Sequence, residues 1–264
     1  MGDKFPKKIL TGLAVACGWI LLWQLLSMFV GKELLVPSPL SVFAALWSTM
    51  GTVLFWRTVS LSVLRIIAGY AAGVTAGVIL AVLTSAFRPL NVFLSPAQHI
   101  IKATPIASFI ILALVWISGS GIPSFITFLM VLPIVWGNVS KGISETDKRL
   151  LEMALVYRFG RVKTIRTVYF HSTMPYFAAA AATSMGLAWK AGIAAEVLSL
   201  PGIAIGTRIN DSKIYLEMPQ LFAWSLVVIV ISMLLEKLIS HLLGKIGKPL
   251  SMASEKERGV DRLQ

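Results

Sequence analysis

The chain has 264 residues, 56% of them hydrophobic and 14% charged, with a net charge of +12. So few charges exclude an ordinary soluble domain, where about a quarter of residues are charged, and several runs reach the ~20 apolar residues that cross a bilayer. A single cysteine, Cys17, excludes an internal disulfide framework and a cysteine-based metal site.

Six membrane helices are predicted. The first, Ile9–Val30, runs on past Cys17 and exceeds the apolar core of a signal peptide, so Cys17 reads as a plain helix residue. Pro37-Ser38-Pro39 then opens a short surface helix over Leu40–Met50, with Ser38 as cap and Pro39 as first helical residue. The second span, Ile66–Ala86, carries Gly69, Gly73 and Gly77, a spacing that lets helix backbones approach closely. The third, Val92–Ile117, and the fourth, Ile122–Val139, are interrupted by Pro105 and Pro133, which predict kinks.

A polar, basic island, Lys141–Pro175, separates the fourth span from the fifth and must lie outside the bilayer. Ser144 and Asp147 have capping-box spacing, and Leu150, Leu151, Ala154 and Leu155 follow with helical period. Gly160 is the expected helix stop, a second short helix covers Arg161–Phe170, and Pro175 opens the fifth span. That span, Tyr176–Leu198, holds Lys190 and Glu196, and Leu221–Leu243 is the sixth. With the N-terminus inside, seventeen Lys and Arg fall on the inner side and five on the outer. Because basic residues stay cytoplasmic, both termini and the island are placed there. Orientation and anionic lipid headgroups then account for the positive charge without nucleic acid.

Ionisable residues within spans are functional candidates. Lys190 reads as lining a path or as half of a buried pair. Glu196, six residues on, cannot share its helix face. Lys102 reads as a path residue or as a snorkelling side chain. No Gly-x4-Gly-Lys-Ser/Thr phosphate loop is present, so nucleotide chemistry must come from a partner. His99, His171 and His241 are scattered, and no catalytic set or metal-ligand set converges.

Glu152-Met153-Ala154, a glycine near the turn and a proline before the next span resemble the EAA loop of binding-protein-dependent ABC importer permeases. The resemblance extends to Leu35–Pro39, Ser62–Arg65, Pro105, Pro133, Glu196 and Leu200–Ile203, and is strongest to the nitrate/sulfonate/taurine subgroup. Met153 stands where that family has alanine. Arg158 stands at the family's glycine, and Phe170-His171 replaces Leu-Pro.

The resemblance implies an all-α, polytopic, type I (MetI-like) transmembrane domain covering residues 1–264, in a bacterial cytoplasmic membrane. It implies that Glu152, Ala154, Tyr157, Arg158, Phe159 and Gly160 form the surface that couples to a separate pair of ATPase subunits, which bind ATP-Mg. No cofactor or metal is expected in this chain. The further partners implied are an extracytoplasmic substrate-binding protein, received near Ser199–Pro219, and a second permease copy that completes the path. A stand-alone secondary transporter is the alternative; it needs internal repeats and paired broken helices.

Overall fold

The computed structural model describes the backbone of residues 4–260 and the side chains of residues 14–243. Lys4, Lys7, Lys8, Lys245, Lys248, Lys256, Arg258 and Arg262, counted in the charge bias, have side chains outside the described residues. The described chain is all-helical: α1 Lys4–Val30, α2 Pro39–Met50, α3 Val53–Ala86, α4 Arg88–Ala103, α5 Ile106–Trp116, α6 Ile122–Ser144, α7 Lys148–Val156, α8 Arg161–Thr164, a π turn Ile165–Tyr169, α9 Phe170–Ser199, α10 Ile205–Ile214 and α11 Met218–Val260.

Local chemistry sets several ends. Ser38 accepts the Ser41 N–H and Pro39 opens α2. Thr52 accepts the Phe55 N–H, so α3 begins well before the predicted Ile66. Arg57 and Arg65 are two of the five basic residues assigned to the outer side, ahead of the predicted second span. Both lie inside the helix, because charge interrupts an apolar run without interrupting helical hydrogen bonding.

α6 is the centre of the fold, packed on both α3 and α9. Gly69, Gly73 and Gly77 all face it. A Cβ at Gly73 would lie 2.8 Å from the Val131 Cβ, and one at Gly77 2.9 Å from the Val135 Cβ, closer than carbon atoms pack. The glycines therefore join α3 to α6 of the same chain. Buried polar tips find partners across the core. The Tyr70 hydroxyl donates to Ala181 O at 2.8 Å, Trp136 Nε1 to Thr84 Oγ1 at 2.9 Å, and Trp189 Nε1 to Val228 O at 2.9 Å. Without water in a bilayer core, each such pairing avoids the cost of a stranded polar group, which the buried Thr58 hydroxyl still carries.

Among the described residues, α3, α6 and Met218–Leu243 are each long and apolar enough to cross a membrane. The third predicted span is not one helix. α4 and α5 meet at Thr104-Pro105 with a bend of 107°, far sharper than a kink, because the chain leaves helical geometry at both residues. α9 is long enough but too rich in alanine and polar residues to qualify, and one side of it is buried against α6. It also starts earlier than predicted, with Pro175 inside it. The chain is helical without interruption from Arg161 to Ser199, through the π turn.

Candidate functional site

The polar island folds as α7, a tight turn and α8. Asp147 caps α7 by accepting the Arg149 N–H at 2.8 Å. Ser144 is not the cap: it ends α6, and its hydroxyl donates to Lys141 O. At the far end, Phe159 N–H donates to Ala154 O at 2.8 Å and Arg158 N–H to Leu155 O at 3.0 Å. These are the two bonds of a Schellman cap. The residue such a cap holds in the left-handed region is Arg158, at φ 53°. Gly160 is not the stop. It is extended at φ −66°, and no heavy atom lies within 4 Å of a Cβ placed there.

The turn presents its apolar groups outward. Leu155, Val156 and Tyr157 are 77%, 80% and 70% exposed, while Ala154 is buried under the turn. The Phe159 ring lies 6.4 Å from that of Tyr157 and beneath Lys163 Nζ, 4.0 Å from the ring centroid. Glu152 is exposed and forms no ion pair among the described residues, so it does not brace the neighbouring helix. α8 then enters the π turn, where Phe170 N–H donates to Ile165 O five residues back.

A second cluster forms where α3, α9 and α10 meet. Glu196 is fully buried, and its Oε2 accepts from Ser62 Oγ at 2.9 Å and from Gly206 N–H at 3.1 Å. Ser62 Oγ in turn accepts the Ile205 N–H at 2.9 Å. Arg65 donates to Ile203 O at 2.8 Å and approaches Glu196 Oε1 at 3.7 Å. One carboxylate thus fastens α9 to α3 and caps the first turn of α10, which has no cap from its own Ala204.

A model of the family described as "Binding-protein-dependent transport system inner membrane component" matches residues 73–248, from mid-α3 through the exposed turn and the Glu196 cluster into α11. This chain belongs to that family. The permease resembles the bicarbonate transport system permease protein CmpB of Synechococcus elongatus, with 26% identity covering 77% of each chain. It also resembles the nitrate import permease protein NrtB of the same organism, with 25% identity over 74% of this chain and 73% of that one. The putative aliphatic sulfonates transport permease protein SsuC of Bacillus subtilis is 20% identical over 90% and 86% of the two chains. The permease is therefore an inner-membrane component of a binding-protein-dependent transport system, similar to permeases named for bicarbonate, nitrate and sulfonates.

Lys190 and Glu196 face opposite ways in the permease. Lys190 belongs to the exposed stripe of α9, with Leu187 and Ala194, while Glu196 is enclosed. Lys102 lies in the last turn of α4. Ser62 and Arg65 are functional partners that their sequence positions hide: Ser62 lies 134 residues from Glu196. The available hint is the resemblance of Ser62–Arg65 and Glu196 noted from the sequence; Ser62 and Arg65 lie outside the matched residues 73–248.

Proposed function

We propose that this chain is the membrane-spanning subunit of an ATP-driven importer for a small oxyanion of the bicarbonate, nitrate or sulfonate class. Six crossings carry both termini and the α7–α8 loop to the cytoplasm. α4 and α5 together make the third crossing, and α9 makes the fifth, sheltered from lipid by its neighbours. Two copies enclose the path, and Lys190 on the exposed stripe of α9 lines it. A binding protein delivers substrate at the α10 face, and a pair of ATPase subunits binds ATP-Mg and drives the cycle. Glu196 serves the path indirectly, by holding α9 to α10.

The observation that carries this reading is the exposed turn. Leu155, Val156 and Tyr157 form an apolar patch on a basic segment, between helices that continue into the membrane. Exposed apolar clusters rimmed by charge mark interaction surfaces, and aromatic side chains supply most interface energy. The Schellman cap and the Lys163–Phe159 contact stiffen the turn, so little order is lost on docking. Replacing Tyr157 and Phe159 together by alanine is expected to lower ATPase recovery in pull-downs at least tenfold, with unchanged permease yield. Full recovery with intact transport would exclude the loop as the docking site.

A further inference from the structure

The bend between α4 and α5 does more than shorten a span. It leaves Lys102 at the elbow, with its side chain laid across α6. A Cβ at Gly137 would lie 3.2 Å from both Lys102 Nζ and Gln98 Nε2, so the missing side chain makes the notch that these two groups occupy. Gln98 is held there by donating to Pro133 O at 3.2 Å. Gly137 lies seven residues before the end of α6 at Ser144, about 10 Å inside it at 1.5 Å per residue. Gly137 lies only two residues inside the predicted end of the fourth span at Val139, so the ammonium stands at the inner mouth of the bundle, held against α6 by the notch.

Among the described residues no carboxylate forms an ion pair with this charge. α4 packs on α3 and α6, and α5 on α6 and α9. α3, α4, α5 and α6 contain no Asp or Glu. The only carboxylate of α9, Glu196, is enclosed against Ser62, Arg65 and Gly206. Lys102 takes part in neither of the ion pairs among the described residues, and its side chain is exposed. An unpaired ammonium within a membrane domain costs several kcal/mol unless water or an anion meets it.

We infer that Lys102, braced in the Gly137 notch beside Gln98, is the anion-selecting cation of the path, and that a small oxyanion passes in contact with it. This rests on the anion-import reading above and assigns its selectivity to one side chain. Lys190 would meet an anion on an open helix face; Lys102 would meet it at the α4–α5 elbow, beside the Gln98 amide.

The test uses the full-length permease with its ATPase and binding protein in proteoliposomes, and ATP-driven uptake of labelled nitrate, bicarbonate and ethanesulfonate as probes. In a Cys17→Ser background, Lys102→Cys is expected to lose about tenfold or more of uptake. Methanethiosulfonate ethylammonium, which restores a cation, should recover most of it, and the ethylsulfonate reagent of similar size should not. Lys102→Arg should retain uptake. Equal effects of the two reagents, undiminished uptake by Lys102→Cys, or loss in Lys102→Arg with normal ATPase capture would each overturn the assignment and leave the permease reading standing. If the unmodified complex takes up none of the three anions, the substrate class fails and this inference fails with it.

Discussion

Arg158 carries the turn of the α7–α8 loop in a conformation that suits glycine, at φ 53°. A side chain in the left-handed region costs about 1 kcal/mol relative to glycine. Arg158→Gly is therefore expected to stabilise the turn by about that amount, seen as slower amide hydrogen exchange at Arg158 and Phe159. Gly160→Ala, with open space around the added methyl and an ordinary φ, should change neither exchange nor permease yield. The arginine persists at a mildly strained position, 70% exposed Tyr157 on one side and the Lys163-covered Phe159 on the other. Strain kept at such a place fits a surface that is held rigid for a partner. Glu196 is the opposite case, a charge wholly enclosed. Glu196→Leu leaves Ser62 Oγ, the Gly206 N–H and Arg65 with a lost acceptor, and breaking one side of a buried pair costs ~3–5 kcal/mol. The expected signature is local: faster tryptic cleavage after Arg208 and Lys213 on α10, while α3 and α6 stay protected.

At the scale of elements, the α3–α6 seam depends on absent side chains. Gly73→Leu would force the helices apart, since even a single Cβ comes within 2.8 Å of Val131 and 3.0 Å of Phe128 O. Overpacking of this kind costs ~1–3 kcal/mol, so the melting temperature in detergent should fall by several degrees. Gly202→Ala, with no atom within 4 Å, is the matched control and should melt as the unmodified chain does. Elements set by neighbouring residues were legible in the sequence. α2 follows from Ser38 and Pro39, the glycine stripe from its spacing, and the polar island from its charge. Elements set by tertiary context were not. Pro175 carries the signature of a helix start, yet it lies within α9, because the π turn upstream joins α8 to α9 without a break. Pro105 signals a kink, and nothing local distinguishes a kink from a 107° elbow. The Glu196 cluster draws on α3, α9 and α10, and no periodicity connects segments so far apart.

The whole molecule is lopsided. α6 is enclosed on several sides, whereas α9 is buried except for one stripe that includes Thr183, Leu187, Lys190, Ala194 and Leu198. An alanine- and lysine-bearing face suits neither lipid tails nor a dry core, and the proposed water-filled seam between two copies would accommodate it. Ala194→Cys in a Cys17→Ser background is accordingly expected to form a covalent dimer on mild oxidation in native membranes. The same experiment with Leu64→Cys, on the 65% exposed outer face of α3, should give monomer. A monomer from both, or a dimer from Leu64→Cys alone, would move the seam elsewhere.

The uninterrupted helical path from Arg161 to Ser199 has a mechanical meaning. One end carries the exposed turn proposed as the docking surface, and the other is bolted by Glu196 to α3 and α10. Pushed at the turn, a continuous helix of this kind would tilt as one piece with the elements it is fastened to, pivoting at the π turn, the single place where its hydrogen-bond register changes. From there to Ser199 the arm is about 45 Å long, so a tilt of about 10° would swing its outer end through about 8 Å. Gain, rather than a relay of small rearrangements, is what such a part would supply: a small push at the turn would become a displacement wider than the small oxyanion proposed as substrate.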